Sequence, residues 1–232
     1  MPWGVLPHSP VDHGPWSAQL GKYIQSDGSV DYQAWQENRD TLDLYVESLL
    51  ANPPAPETPE DVQLAHWINA YNALTIQLIL NNYPLKSIKD LDKIPYVSTV
   101  WHNKLYEING LPISLNNIEH QILRQQFDEP RIHFAINCAS VSCPVLRPEA
   151  YFPESLDQQL EEQAHAFFAS SQRNIITQDE IQISKIFLWF QEDFTRHGEL
   201  WEFINTYSEV ELGSDTKISY LNYDWNLNDS KP

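Results

Sequence analysis

The sequence predicts an α+β fold, a mostly helical single domain around a small antiparallel sheet. Stretches with the apolar pattern or the length of helices recur along the chain, and two short segments, residues 103–114 and 174–184, alternate in polarity around turn residues. The 232 residues, 42% of them hydrophobic, are enough to form one sizeable core. We expect an irregular N-terminal arm over residues 1–15 and the domain over residues 16–232.

The first elements of the domain are helical. After a short helix the chain turns at Asp27 and Gly28, and a longer helix runs from about Tyr32 to Leu50. The proline-rich residues 51–61 are short and end at a helix start, which favours a surface loop over a linker between domains.

A buried helix follows this loop, with Thr58 as its expected N-cap. Residues 64–80 are apolar nearly all round, which is typical of a helix inside a core. Three polar residues interrupt this surface and form one ridge: His66, Asn69 and Asn72. Either they hold neighbouring backbone, or they line a pocket in which Asn69 or Asn72 binds substrate or orients a catalytic group.

The next helix carries an acid at a core position. An Asn-Gly turn at residues 109–110 joins two short strands, and Ser114 then caps a helix that runs to about Phe127. Glu119 lies on the apolar stripe of this helix, and His120 lies next to it. A carboxylate in a core needs a partner, so Glu119 either forms an internal ion pair or acts as an orienter or acid/base.

Residues 131–137 are predicted to form a buried strand with Arg131 and His133 on one face. Glu119 lies roughly 12 Å before the end of the preceding helix, measured along the helix axis. A strand that returns antiparallel beside this helix comes alongside Glu119 at residues 133–135. The sequence therefore predicts that Glu119 pairs with His133 and fixes it as a base. Arg131, on the same face, is expected to bind a substrate carboxylate.

Both cysteines of the chain, Cys138 and Cys143, follow this segment. They are a thiol activated by His133 or His120, inert buried residues, or a disulfide. Cys143 precedes Pro144 and is expected to cap a short helix, whose dipole favours a thiolate. A zinc site is a weaker alternative because the spacing matches no structural zinc pattern. We therefore assign no metal and no cofactor.

The remaining segments are expected to be scaffold. They are a helix opened by Pro153, a second hairpin with its turn near Gln178–Glu180, a helix capped by Ser184, a helix over residues 198–207 and a terminal strand within residues 217–229.

Charge and hydropathy exclude several kinds of partner. With 32 Asp and Glu against 14 Lys and Arg, the net charge is −18. Nucleic acid and anionic membrane surfaces attract basic proteins, so we expect neither as a partner. No stretch approaches the roughly 20 apolar residues of a membrane span. The first residues do not form a signal peptide, although one can have been removed from a mature form. The compartment and the oligomeric state therefore stay open.

Five segments together resemble the family called domain of unknown function 547. They are HWINAYNALTIQLIL, PISLNNIEHQILR, PRIHFAINCASVSCPVL, SKIFLWFQEDF and ISYLNYDWNLN, within about Gly21 to Asn228. Members occur in bacteria, many with export signals, and in plants and animals, some beside a glutaredoxin-like domain. The resemblance implies a bacterial single-domain member with a thiol-hydrolase-like site of Cys, His and Glu, on a papain-like or transglutaminase-like fold.

We therefore expect a cysteine-dependent hydrolase or acyl/thiol transferase that acts on a peptide-like or glutathione-like substrate. Cys138 or Cys143 would be the nucleophile, His133 or His120 the base, and Glu119 the orienter. The alternative is a non-catalytic domain that binds a small ligand, a thiol or a peptide.

Overall fold

Helices predominate in the fold, and the strands are few and short, which confirms the α+β class. A computed structural model describes residues 11–94, 98–177 and 180–231. Its α-helices are α1 (Gly14–Tyr23), α2 (Tyr32–Gln36), α3 (Asp40–Ala51), α4 (Glu60–Asn82), α5 (Arg124–Gln126), α6 (Ile132–Ala135), α7 (Leu156–Ala169), α8 (Ile186–Trp189), α9 (Gln191–Phe194) and α10 (Leu200–Tyr207). Its strands are β1 (Tyr106–Ile108), β2 (Leu111–Ile113), β3 (Ile175–Ile176), β4 (Ile181–Ile183) and β5 (Ser219–Tyr220). Short 3₁₀-helices lie at Ile88–Leu91, Val100–His102 and Pro153–Ser155.

The strands form two small sheets. β1 and β2 pair antiparallel, and the turn residues Asn109 and Gly110 have φ angles of 51° and 76°, as a type I′ turn requires. β3 and β4 also pair antiparallel, which confirms the second hairpin, although residues 178–179 of its turn lie outside the described residues. β5 joins β4 in parallel and completes a three-stranded sheet.

The N-terminal helices differ in detail from the prediction. The helix expected over residues 32–50 is divided into α2 and α3 around residues 37–39. The N-cap of α4 is Pro59, with no side-chain cap, so the expected capping by Thr58 is wrong. Residues 1–10 of the expected arm lie outside the described residues, and the division into arm and domain stays a prediction.

The expected strand over residues 131–137 is wrong. Residues Ile132–Ala135 form the short helix α6, closed by a backbone hydrogen bond of 3.0 Å from Ile136 N to Ile132 O. The apolar residues of this segment are buried on every side, and a short run of that kind does not distinguish a strand from a helix. The consequence is that the chain turns before the cysteines instead of extending past them.

The helix that carries Glu119 has an unexpected geometry. Its start is as predicted, because Ser114 Oγ accepts a hydrogen bond of 3.2 Å from Asn117 N. Residues Asn117–Leu123 then form a π-helix, which continues into α5. π-Helical turns are rare and are found often at functional sites.

Two hydrophobic clusters form the core. The first contains α1 to α4, with fully buried Trp16, Trp35 and Ile68. The second is rich in phenylalanine and lies around α7 to α10. The short helix α6 belongs to both, because Ile132 packs in the first and Phe134 in the second. Within the described residues, no helix is long and apolar enough to cross a bilayer.

Candidate functional site

A pocket of about 230 Å³ lies where residues of the two clusters meet. Six aromatic side chains form much of its wall: Tyr71, Trp101, Trp189, Phe190, Tyr223 and Trp225. Its groups with acid, base or sulfur chemistry are Glu119, His102, His120, His133, Cys138 and Cys143. The structure therefore brings together all five side chains that were predicted as catalytic.

The two cysteines form a disulfide at this pocket. It is one of the three roles that the sequence left open, and no free thiol is present among the described residues. Cys143 caps no helix, contrary to expectation, because residues 144–148 form no regular element. Nor do the described residues contain a group of His, Cys, Asp and Glu side chains that would hold a metal ion.

The two sulfurs have different surroundings. Cys138 is half-buried, whereas Cys143 is only 3% exposed. Cys143 Sγ accepts hydrogen bonds from the backbone N of Cys138, at 2.9 Å, and from Tyr223 Oη, at 3.3 Å. Cys138 Sγ lies 3.3 Å from Ser140 Oγ and 3.5 Å from Tyr223 Oη. Cys138 is therefore the more exposed of the two cysteines that line the pocket.

The loop that carries the disulfide is held from two sides. Arg173 donates from Nε to the carbonyl of Cys143, at 2.6 Å, and from Nη2 to that of Val141, at 3.1 Å. On the other side, backbone hydrogen bonds join Val141 to Asn226 and the carbonyl of Ala139 to Asn228. The C-terminal segment thereby fixes the loop and places Tyr223 against the sulfurs.

Backbone strain occurs next to Cys138. Ala139 is fully buried and has a φ angle of 61°, in the left-handed region that residues with a Cβ rarely adopt. Such strain costs on the order of 1 kcal/mol and is found often at functional sites.

His133 has a partner that the sequence analysis missed. Its Nε2 lies 2.7 Å from Asp193 Oδ2, and its ring stacks on Phe190 with a centroid distance of 4.1 Å. Because an ionised carboxylate only accepts, the proton of neutral His133 is on Nε2 and the lone pair is on Nδ1. Burial lowers the pKa of His133, although Asp193 opposes this shift, so Nδ1 is available as a base at neutral pH.

Asp193 also binds Arg124, whose Nε lies 2.5 Å from Oδ2. Burial alone would raise the pKa of Asp193, but the hydrogen bonds from His133 and Arg124 outweigh it and hold that pKa well below its ordinary value. An ionised Asp193 can both orient the imidazole and stabilise its protonated form.

Glu119 does not form the predicted hydrogen bond with His133. Its Oε2 instead accepts from Tyr71 Oη, at 3.1 Å, and the carboxyl group is buried at the pocket wall. Burial raises the pKa of Glu119 from 4.5 to about 7, with Tyr71 and Arg124 opposing that shift. Glu119 is therefore a buried carboxyl group with a raised pKa, and the carboxylate that binds His133 is Asp193 instead.

His120 is restricted by its neighbour Arg124, whose Nη1 lies 2.7 Å from His120 Nδ1. A guanidinium only donates, so Nδ1 accepts and the proton of neutral His120 is on Nε2. Burial, followed by the charge of Arg124, lowers the pKa of His120. With its one lone pair occupied, His120 is suited to donate a hydrogen bond to a ligand, and His133 is the better base.

The predicted substrate-binding residues lie outside the pocket wall. Arg131 binds three carboxylates, at 2.7 Å to Glu129, 2.8 Å to Asp157 and 3.0 Å to Glu161. These ion pairs occupy its guanidinium at a different surface, so it has no place in this pocket. Arg131 and His133 were expected on one face of a strand, and this expectation is wrong because the segment forms the helix α6.

Asn69 and Asn72 hold backbone, as one of their two predicted roles proposed. Asn69 donates to the carbonyl of Tyr151 and accepts from its N–H, at 2.7 and 3.0 Å. Asn72 donates to the carbonyl of Ala135 and accepts from Asn137 N, both at 2.9 Å. Asn72 thereby fixes the turn between α6 and Cys138.

The pocket residues Phe190, Tyr223 and Trp225, together with Asp193, were assigned to scaffold by the sequence analysis. They lie in the segments FQEDF and LNYDWNLN, and the one available signal was an acid among aromatic residues. Asp193 is 60 residues from His133, and Tyr223 is 80 residues from Cys143, so local spacing does not connect them.

Comparison with known proteins identifies a family. The family model described as "Protein of unknown function, DUF547" matches residues 56–168, which include Glu119, His133 and both cysteines. Comparisons with curated proteins and with solved structures gave no match, so the papain-like or transglutaminase-like relation stays a prediction. Residues 56–168 of the chain therefore match the DUF547 family of proteins of unknown function.

Proposed function

We propose that this pocket is the active site of a cysteine-dependent hydrolase or acyl/thiol transferase that acts on a peptide-like or glutathione-like substrate. Cys138 is the nucleophile, and a small thiol or dithiol first reduces its bond to Cys143. The observation that supports this proposal most strongly is the common pocket, in which the accessible sulfur of Cys138 and the Asp193-bound His133 both lie.

The chemistry follows from the protonation states of the site. Nδ1 of His133 takes the proton of the Cys138 thiol, and Asp193 stabilises the resulting imidazolium. The thiolate adds to a substrate carbonyl, and the leaving group departs with the proton of His133. Water or a second thiol then attacks the acyl-cysteine and releases the acyl group, which restores Cys138.

We propose that two further groups assist. With a pKa of about 7, Glu119 keeps its proton on a large share of molecules at neutral pH and can donate a hydrogen bond to the carbonyl oxygen. His120 Nε2–H is a second donor. The aromatic wall would exclude water and pack against the apolar parts of the substrate.

Hydrolysis of p-nitrophenyl acetate tests the proposal. Protein reduced with a phosphine should show a burst of nitrophenolate and an acetyl group on Cys138 by mass spectrometry, whereas oxidised protein should show neither. Cys143→Ser is the matched control: it cannot form the disulfide, so it should be active without reduction. Cys138→Ser should lose the burst, and Asp193→Asn should slow it. Equal hydrolysis by wild type and Cys138→Ser would refute the proposal.

The second candidate function is a non-catalytic domain that binds a small ligand or a peptide. The disulfide favours it, because both sulfurs are bonded and the aromatic wall remains available. Tryptophan fluorescence of oxidised protein, titrated with a set of short peptides, separates the two functions. Saturable binding that reduction leaves unchanged, without acylation of Cys138, would favour this alternative.

A further inference from the structure

Both cysteines of the disulfide line the pocket, but they are unequally buried. Cys138 is half-buried, whereas Cys143 is only 3% exposed. A thiolate that opens a disulfide must reach one sulfur and displace the other. Access therefore selects Cys138 as the sulfur that is attacked and Cys143 as the sulfur that leaves.

The surroundings of Cys143 are suited to a leaving thiolate. The N–H of Cys138 points at Cys143 Sγ from 2.9 Å, and this donor serves only that sulfur. Tyr223 Oη, 3.3 Å from Cys143 Sγ and 3.5 Å from Cys138 Sγ, can accept from Ser140 Oγ at 3.4 Å while it donates to Cys143. Hydrogen bonds to a thiolate lower its pKa, and a leaving thiol of lower pKa departs faster.

Tyr223 keeps its proton under these conditions. Burial raises the pKa of Tyr223 to about 12. The phenol therefore stays a donor through the pH range in which small thiols ionise, and it does not compete with the leaving sulfur as a second anion.

We infer that the Cys138–Cys143 disulfide is a thiol–disulfide exchange centre for small thiols that enter the pocket, with Cys138 as the attacked sulfur. The thiol ionises in solvent, and its thiolate forms a bond to Cys138 Sγ while the bond to Cys143 breaks. Cys143 departs as a thiolate that holds the electron pair. A second thiolate then attacks the mixed disulfide on the sulfur of the first thiol, so that two thiols become one small disulfide and the protein becomes a dithiol.

This inference deepens the proposed function, on which it rests for the presence of ligands in the pocket. It names thiol–disulfide exchange as the reaction that breaks the Cys138–Cys143 bond. It requires neither His133 as a base nor any acyl transfer.

Mapping of the mixed disulfide in the oxidised wild-type protein is the test. The protein is exposed briefly to 2-mercaptoethanol, acid-quenched, alkylated and fragmented. The expected result is the mercaptoethanol adduct on Cys138 and the alkyl group on Cys143 in at least about nine of ten opened molecules, because Cys138 is the more exposed cysteine and Cys143 has the hydrogen bonds that favour a leaving thiolate. Adduct mainly on Cys143, an equal distribution, or opening only in denaturant would each overturn the inference.

A pair of tyrosine variants tests the leaving sulfur. Tyr223→Phe removes one hydroxyl and keeps the ring that packs against Trp189 and Trp225. It should slow mixed-disulfide formation about tenfold, since hydrogen bonds to charged groups are worth more than neutral ones. Tyr207→Phe, which removes a hydroxyl that donates to Glu161 and does not line the pocket, is the control and should react as wild type does. Equal rates in both variants would overturn the role assigned to Tyr223.

Failure of this inference is distinguishable from failure of the proposed function. A phosphine reduces the disulfide without a thiol, so acylation of Cys138 can be measured even if exchange with 2-mercaptoethanol does not occur. Conversely, exchange at Cys138 without acylation would retain the inference and refute the hydrolase.

Discussion

At the residue scale, Asp193 joins three side chains, because it is the acceptor for His133, Arg124 and Arg196. Replacing it would leave Nε2 of His133 and Nε of Arg124 without this acceptor and would remove one of the carboxylates that bind Arg196. Asp193 lies outside residues 56–168, the region that matches the family model. Glu119, whose pKa is raised by burial, lies inside that region.

Asp193→Ala should lower the free energy of unfolding by about 3 kcal/mol, because removing one partner of a buried ion pair leaves the other uncompensated. The matched control is Asp128→Ala, which removes an exposed carboxylate bonded to Arg196 and His197. Urea unfolding of both oxidised variants at pH 7 gives the comparison. Similar losses in the two would contradict the structural importance of Asp193.

Glu119 should make stability depend on pH. Its pKa is about 7 in the folded protein against an ordinary 4.5, so between these values the folded state binds more protons than the unfolded state. The free energy of unfolding therefore falls as pH rises from 4.5 to 7, by on the order of 3 kcal/mol in total. Glu119→Gln removes this contribution. The free energy of unfolding of this variant, relative to that of wild type, should rise between pH 5 and pH 8. A difference that stays constant over this range would contradict the raised pKa of Glu119.

At the scale of elements, the buried helix α4 supports two different segments through two asparagines one turn apart. Asn69 holds the backbone of Tyr151, and Asn72 holds that of Ala135 and Asn137, next to Cys138. The two side chains make the same kind of contact, yet only Asn72 supports the pocket.

Asn69→Ala and Asn72→Ala should each lower the free energy of unfolding by roughly 2 kcal/mol, since each leaves a buried N–H and a buried carbonyl unpaired. Only Asn72→Ala should change the alkylation rate of Cys138 in reduced protein. Each variant thus serves as the control for the other. Equal effects on alkylation would show that Asn72 has no specific role at the pocket.

Local sequence signals predicted the elements that depend on neighbouring residues. The Asn109–Gly110 turn and the start of the helix at Ser114 are examples, because their hydrogen bonds and φ angles are set within a few residues. The strand expected at residues 131–137 failed because a short, fully buried apolar run has no diagnostic period. The π-helix around Glu119 likewise has no sequence signal that we identified.

The composition of the site was only partly predictable. The cysteines, the histidines and Glu119 stand close together in the sequence, and the structure gathers them at one pocket. Asp193 and Tyr223 reach that pocket through tertiary packing of the second hydrophobic cluster and the C-terminal segment. Their contacts join residues 60 or more positions apart, which a single sequence does not reveal.

At the scale of the whole molecule, the chain has a net charge of −18, and its aromatic pocket is lined by Glu119 among other residues. A field of this sign raises the local concentration of cations and lowers that of anions. The chain should therefore discriminate between thiol reagents by charge before any contact is made.

A cationic methanethiosulfonate should modify reduced Cys138 about tenfold faster than an anionic one at low salt, after each rate is divided by that for a free thiol. The ratio should fall as salt is added, since screening shortens the range of the field. The uncharged methyl reagent is the control and should show no salt dependence. A ratio near one at low salt would contradict steering by the net charge.

The central claim is that Cys138 is an activated thiol once the disulfide is reduced. The most direct measurement is the rate of iodoacetamide alkylation against pH, mapped by mass spectrometry after phosphine reduction. Cys138 should react with a midpoint well below the ordinary thiol value of about 8.5, His133→Ala should slow this reaction, and Cys143→Ser should keep it. Reaction of both cysteines only above about pH 8.5 in the folded protein would contradict the claim.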